Sequence, residues 1–342
     1  MLIGDACCFL GERGKDPLAQ KDLMLNFGVA TATPPTVPLE NKKGGRPLTM
    51  KETLDKVGGF KNSIINQERL RLVFGFSDLV EATNNKQTGV VLGLQNTPSD
   101  AEPEALFEAG IRIMAIAYYG QNQYGSGFAN AEIGLTEDGR NLIRRYAEAG
   151  MIIDVSHAGH QTMIDAISFI EENRIDCQIM ASHGGCVSVS HHLRNISDEA
   201  MKGIIRLEGV VGITTITFNL DERDNSINPF IRHLSHALKI CGENNVCIGT
   251  DSVYVKRTLK EAEEGIKKLR PWLDPLDIQG IRYPENIYEG PDLMQKIYKD
   301  LRDEAGFTDP YIGFVQGHFT NDQIKKIIGQ NMFDFFNRAL PA

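Results

Sequence analysis

Short runs of aliphatic and β-branched residues alternate along the chain with longer amphipathic stretches. The runs predicted as strands are Leu2–Cys8, Gly89–Gln95, Ile111–Ala117, Met151–Ser156, Gln178–Ser182, Val210–Thr217 and Val246–Thr250. A weaker one at Met24–Ala32 would make eight. Val90-Val91-Leu92, Ile152-Ile153 and Val210-Val211 are nearly continuous in apolar residues, as parallel strands covered on both faces require. Helices fill the gaps. One follows Thr136 and stops at Gly150. Another starts at Ser197, with Asp198 and Glu199 in the first turn, where carboxylates suit the helix dipole. A third opens on the capping-box pattern Thr320-Asn321-Asp322-Gln323 and should end near Gly329.

Strand–helix alternation repeated this often predicts an α/β fold, either a closed (β/α)8 TIM-type barrel or a doubly wound sheet. No G-x-G-x-x-G follows the first strand and no P-loop is present, so the barrel is preferred. The expected organisation is one domain over residues 1–342. Loop excursions are expected at Thr31–Leu48, rich in Pro, Gly and charge, and at Pro271–Pro291, which also carries Pro275 and Pro284.

Composition agrees with a soluble enzyme-sized domain. Of 342 residues, 42% are hydrophobic and 24% charged, enough apolar material for a large core. The net charge of −9 and pI near 5.5 argue against nucleic acid or an anionic membrane as partner, since both reward clustered Lys and Arg. No apolar run approaches the roughly 18 residues of a membrane helix. Met1–Phe9 lacks the basic start and long apolar stretch of a signal peptide, which favours the cytoplasm. The six cysteines contain no C-x-x-C pair, so neither a disulfide framework nor a cysteine zinc site is indicated. Cys7 and Cys8 are left open.

Polar residues fall where a barrel would use them. Five predicted strands end in Gln95, Tyr118, His157, His183 and Asp251, and in this fold strand C-termini converge on the face that carries chemistry. His157 and His183, each preceded by Ser, suit a metal, because neutral imidazole on neighbouring rigid strands keeps a fixed separation. Asp251 suits a base or a metal-side carboxylate. Among the other histidines, His160 at a helix start and His233 and His236 on one helix face read as structural. His191 and His192, in the loop before Arg194, could be structural or functional, and His318 in a loop gives no signal.

The run from Gly134-Leu135-Thr136 to Gly150-Met151-Ile152-Ile153-Asp154-Val155-Ser156-His157 resembles the membrane (renal) dipeptidase family. So do Ala181-Ser182-His183, Leu193-Arg194-Asn195-Ile196-Ser197-Asp198, His233–His236, Cys247–Asp251 and Ile327–Asn331, all in family order. The resemblance implies a metal-dependent amidohydrolase barrel that hydrolyses dipeptides with two zinc ions joined by a glutamate. It assigns His157 and His183 to one zinc, Arg194 to the substrate carboxylate, and Asp251 to the proton of the attacking water. A dimer is also implied.

Three positions depart from the family. Its first-strand His-x-Asp pair is matched by Ala6 and Cys8, or, one residue shifted, by Asp5 and Cys7. The bridging glutamate is matched by Gln95, and a substrate-side histidine by Tyr118. The leading expectation is therefore a hydrolase of dipeptides or similar small amides. It would use one zinc at His157, His183 and Gln95, with Asp251 and Tyr118 catalytic and Arg194 and Tyr118 binding substrate. The alternative is a degenerate barrel that binds a small ligand without turnover.

Overall fold

The structure is a computed structural model. It describes residues 1–10, 23–39, 42–221, 224, 226–254, 260, 264, 290, 292–303, 307–309, 313–315 and 319–342. Its strands are β1 (Gly4–Phe9), β2 (Phe27–Thr31), β3 (Val37–Leu39), β4 (Lys42–Arg46), β5 (Leu70–Val73), β6 (Thr88–Leu94), β7 (Ile111–Ala115), β8 (Ile152–Asp154), β9 (Ile179–Gly184), β10 (Val210–Ile213), β11 (Val246–Ile248) and β12 (Ser252–Val253). The short ribbon β13 (Phe307–Asp309) and β14 (Gly313–Val315) stands apart.

All eight expected strands are present, and they pair in parallel in chain order: β1, β2, β6, β7, β8, β9, β10, β11. The ring closes through one continuous stretch. Val246–Ile248 pairs with β10, and a few residues on Ser252–Val253 pairs with Cys8–Phe9 of β1. This is the (β/α)8 barrel. Strand β5, unforeseen from the sequence, pairs only with the first half of β6 and stays outside the ring. Its sequence, Leu70-Arg71-Leu72-Val73, is short and alternating, an edge pattern rather than a buried one.

The lumen is filled by one apolar residue or more from each ring strand: Ala6, Val29, Val91, Ile113, Ile152, Met180, Val210 and Cys247 form one cluster. Met332, Phe335 and Phe336 of the C-terminal helix Asn331–Ala339 close it from below. Fully burying each phenylalanine contributes roughly 2–3 kcal/mol. Residues at alternate positions, including Val90, Leu92, Ile153, Ala181, Val211 and Ile248, pack against the helical layer.

The helix starts follow the sequence. Thr136 accepts from the backbone of Gly139, Ser197 from Ala200, and Thr320 and Gln323 form the capping box. The expected stop at Gly329 is a correction. The chain kinks there and resumes as Asn331–Ala339. A Cβ at Gly329 would lie 2.6 Å from the carbonyl oxygen of Leu2, so only glycine lets the kink seat against β1. Asn331 holds the resumed helix by donating to the carbonyls of Glu243 and Val246, both at 2.8 Å.

Thr31–Leu48 is not irregular throughout, since β3 and β4 form an antiparallel hairpin within it. Gly44, in the left-handed region at φ +80°, presses on the Tyr119 ring just beyond β7, which places the hairpin over the strand C-termini. The Pro271–Pro291 excursion lies, Gly290 apart, outside the described residues, as does His318. Among the described residues, no helix is long and apolar enough to cross a membrane.

Candidate metal centre

Six side chains from six ring strands or their C-terminal ends meet above the apolar floor: Cys7, Gln95, Tyr118, His157, His183 and Asp251. The structure thus gathers every residue expected at strand ends, and Cys7 joins them. The irregular pairing of β1 with β2 between Asp5 and Cys8 explains this. The bulge turns Cys7 to the site, while Ala6 packs into the floor and Cys8 faces the helical layer with its Sγ 3.4 Å from the Val29 carbonyl.

Asp5 sits beside the site rather than in it. Its carboxylate accepts from the Thr250 N–H at 2.9 Å, the Thr250 hydroxyl at 2.6 Å, the Tyr254 phenol at 2.7 Å and the Cys7 N–H at 3.0 Å. Burial pushes its pKa up to about 6 although all four donors pull it down. Asp154 repeats the arrangement on the opposite side of the barrel. It accepts from the Ser182 N–H at 3.0 Å, the Ser182 hydroxyl at 2.5 Å and the N–H two residues on, Ser156, at 2.9 Å. Each aspartate therefore laces its strand to the neighbour that carries a site residue, Asp251 in one case and His183 in the other.

The two histidines face each other with 2.9 Å between their Nε2 atoms, and both rings are buried. Their tautomers follow from their partners. The Ser182 hydroxyl has one hydrogen, which it gives to Asp154, so at 2.8 Å it must accept from His183 Nδ1–H. His183 Nε2 then carries a lone pair. Arg194 Nη2, which can only donate, lies 3.2 Å from His157 Nε2 and requires a lone pair there too. His183 Nε2 thus presents its lone pair to a buried gap opposite His157 Nε2, and a cation bound between the rings would take over the His157 lone pair that Arg194 now contacts. Burial also holds His183 below the usual imidazole range, keeping the ring neutral as a ligand must be. The donor set therefore fits a divalent metal.

Asp251 Oδ2 lies 3.8 Å from His183 Nε2, while Oδ1 accepts from Gln95 Nε2 at 2.8 Å. The same Gln95 nitrogen approaches Cys7 Sγ at 3.1 Å. It is the amide nitrogen of Gln95, not its oxygen, that faces the centre. His157 and Asp251 both adopt left-handed backbone, at φ 67° and 52°, a conformation that costs non-glycine residues of order 1–3 kcal/mol and clusters at functional sites. Tyr118 stacks near His157, ring centroids 4.2 Å apart, and Phe128 sits 5.4 Å beneath the Arg194 guanidinium carbon. Arg194 is buried, and no described carboxylate pairs with it directly.

The other histidines are placed structurally. His233 accepts from the Cys186 N–H at 2.7 Å and bonds the Leu220 carbonyl, and His236 pairs with Asp198 at 2.7 Å. His192 is buried and braces the Arg194 backbone N–H at 3.1 Å, a support that no sequence pattern announced. Ser156, Ser182 and Asp154 are legible in the sequence only as parts of motifs. Their signal is the Asp-x-Ser-His and Ser-His spacing, which sets a hydroxyl or carboxylate next to each ligand. His160 is exposed at its helix start.

An uncharacterised protein in the pqqA 5′ region of Klebsiella pneumoniae is 26% identical over 199 residues, covering 54% of this chain and 72% of that protein. Another from the PQQ-III 3′ region of Acinetobacter calcoaceticus is 23% identical over 188 residues, covering 50% of this chain and 58% of that protein. An amidohydrolase from Pseudomonas aeruginosa superposes with a TM-score of 0.70 at 18% identity, over 99% of this chain and 96% of that one. A metallo peptidase from Rhodobacter sphaeroides, solved with a phosphinate mimic of the dipeptide L-Ala-D-Ala, gives 0.69 at 15% identity over 99% of each chain. These two likenesses fix the barrel. The family described as membrane dipeptidase (peptidase family M19) matches residues 30–273, and the chain belongs to it.

Proposed function

We propose that this protein is a metal-dependent hydrolase that cleaves a dipeptide or a similar small amide bearing a carboxylate, using one zinc at His157 and His183. The observation that carries the reading is the approach of the two Nε2 atoms to 2.9 Å at neighbouring strand ends, with the lone pair of His183 fixed there by Ser182 and an Arg194 donor beside His157. A divalent ion there supplies Lewis-acid polarisation of the scissile carbonyl and acidifies water.

The chain's own residues do the rest. Arg194, buried without a carboxylate partner among the described residues, pairs with the substrate carboxylate through its planar fork. Asp251 takes the proton of the attacking water on Oδ2 and returns it to the amide nitrogen as the C–N bond breaks. Gln95 holds the other oxygen of Asp251 so that Oδ2 stays aimed at His183. Rotated about its last bond, the same amide would offer its oxygen to the ion. Tyr118, half-buried over His157, donates to the oxygen that develops charge. Cytoplasmic action and a homodimer belong to the same reading. Six free thiols suit a reducing compartment.

The rival, a ligand-binding barrel without turnover, draws support from the neutral Gln95, whose amide nitrogen faces the centre. Metal analysis of protein purified with added zinc, paired with a dipeptide panel, separates the two. About one equivalent of zinc, lost in His183→Ala, together with dipeptide cleavage supports the hydrolase. Absent metal and absent cleavage, unchanged by His157→Ala, overturn it.

A further inference from the structure

The hydrolytic reading gives Cys7 no task, yet β1 breaks its register to bring this side chain into the centre. We propose that Cys7 is a third metal ligand, a thiolate that joins the imidazoles of His157 and His183 and leaves one corner open beside Asp251. This rests on the metallohydrolase reading and specifies its ligands.

Geometry is the first support. Ligand atoms of Cys7, His183 and Asp251 all lie within 4.8 Å of one another, with Cys7 Sγ 3.7 Å from Asp251 Oδ1. Around a tetrahedral zinc, bond lengths of about 2.3 Å to sulfur and 2.0–2.1 Å to nitrogen imply about 3.6 Å between S and N and about 3.4 Å between two N atoms. The histidine nitrogens, now 2.9 Å apart, need to separate by about half an ångström, and the sulfur needs to close on His183 by no more than about 1.2 Å. Rotamer adjustments on rigid strands supply shifts of that size.

Gln95 is the second support. One amide nitrogen directs its two N–H bonds at Cys7 Sγ and at Asp251 Oδ1. At 3.1 Å the Gln95 N–H is placed on the sulfur itself, where it would support a thiolate held by a metal. A glutamate at this position would repel a thiolate. A glutamine steadies it, so Gln95 and Cys7 make sense together.

Charge is the third. Two neutral imidazoles leave a buried dication uncompensated. One thiolate removes half the excess, and the carboxylate of Asp251 beside the open corner balances the remainder. On binding, the Cys7 S–H bond breaks heterolytically; the sulfur keeps the electron pair for the metal and the proton leaves to solvent.

Cobalt replacement tests this on the full chain. The Co(II) protein should show the near-ultraviolet thiolate-to-cobalt charge-transfer band, absent in Cys7→Ser and retained in Cys8→Ala. Zinc affinity of Cys7→Ser should fall by more than the roughly 10- to 100-fold that loss of an outer hydrogen-bond partner costs. Should Cys7→Ser not fold, X-ray absorption of the wild-type zinc protein replaces it, with one sulfur at about 2.3 Å expected. Bound cobalt without the band, or a zinc shell without sulfur, overturns the thiolate ligand and leaves the hydrolase reading standing. No bound metal at all brings down both.

Discussion

The imidazoles of His157 and His183 meet Nε2 to Nε2 at 2.9 Å, and the hydrogen-bond chain from Asp154 through Ser182 leaves the second of them no proton to share there. A hydroxyl outside the centre therefore determines which nitrogen of His183 is available.

Ser182→Ala tests that control. Without the acceptor at Nδ1, His183 is free to carry its proton on Nε2, and zinc affinity should drop by roughly 10- to 100-fold while the fold survives. Competition against a chromophoric chelator reads this directly. Wild-type affinity would mean that another contact sets the tautomer.

Arg194→Met should remove recognition of the carboxylate. Charge-assisted hydrogen bonds are worth about 1.5–3 kcal/mol, so kcat/KM for a free dipeptide should fall by roughly 10- to 150-fold. A dipeptide amidated at its C-terminus should be a poor substrate of both proteins and nearly indifferent to the change. Equal losses on both substrates would assign Arg194 to something other than the carboxylate.

The lacing of β1 to the last ring strand should be worth a measurable part of stability. Thr250→Val removes the 2.6 Å bond to a buried carboxylate, which costs about 1–3 kcal/mol. Urea unfolding should show a lower midpoint with an unchanged slope. An unshifted midpoint would show that Tyr254 and the two backbone N–H groups suffice.

Stability should also depend on acid. Burial lowers His192 and His233 from 6.5 to about 4, so the fold holds them neutral while the unfolded chain takes protons first. Their contribution is complete above pH 6.5 and is lost as pH falls towards 4, by roughly 3 kcal/mol each. Asp5 acts in the opposite sense. Raised from 3.8 to about 6, it is protonated earlier in the fold, which returns roughly 3 kcal/mol over much of the same window. The net expectation is a falling Tm between pH 6.5 and 4, with the fall steeper in Asp5→Asn. A flat profile would contradict the neutral histidines.

Much of this was legible in the residues alone. Eight apolar runs, five of them ending at a polar residue, were enough for the ring and for Gln95, Tyr118, His157, His183 and Asp251. What escaped depended on register. Whether Ala6 and Cys8 or Asp5 and Cys7 face the centre turns on a single bulge in β1, and alternation cannot locate a bulge. Gly329 misled for a related reason. A glycine that ends a helix and a glycine that lets a helix kink against a neighbouring backbone read alike until Leu2 is seen beside it. The hairpin in Thr31–Leu48 hid because Pro and Gly mark turns without saying whether the flanking residues pair.

The apolar floor has a consequence for anything approaching the barrel. Ala6, Val91, Ile113 and Met180, sealed by Phe335 and Phe336, leave an apolar, low-dielectric medium below the charged groups. Above such a floor the field of Arg194 and Asp251 is weakly screened inside the barrel and focused outward along its axis. A zwitterion entering there is oriented by that field before it touches either side chain. The half of the barrel that carries no chemistry thus decides which end of the visitor arrives first.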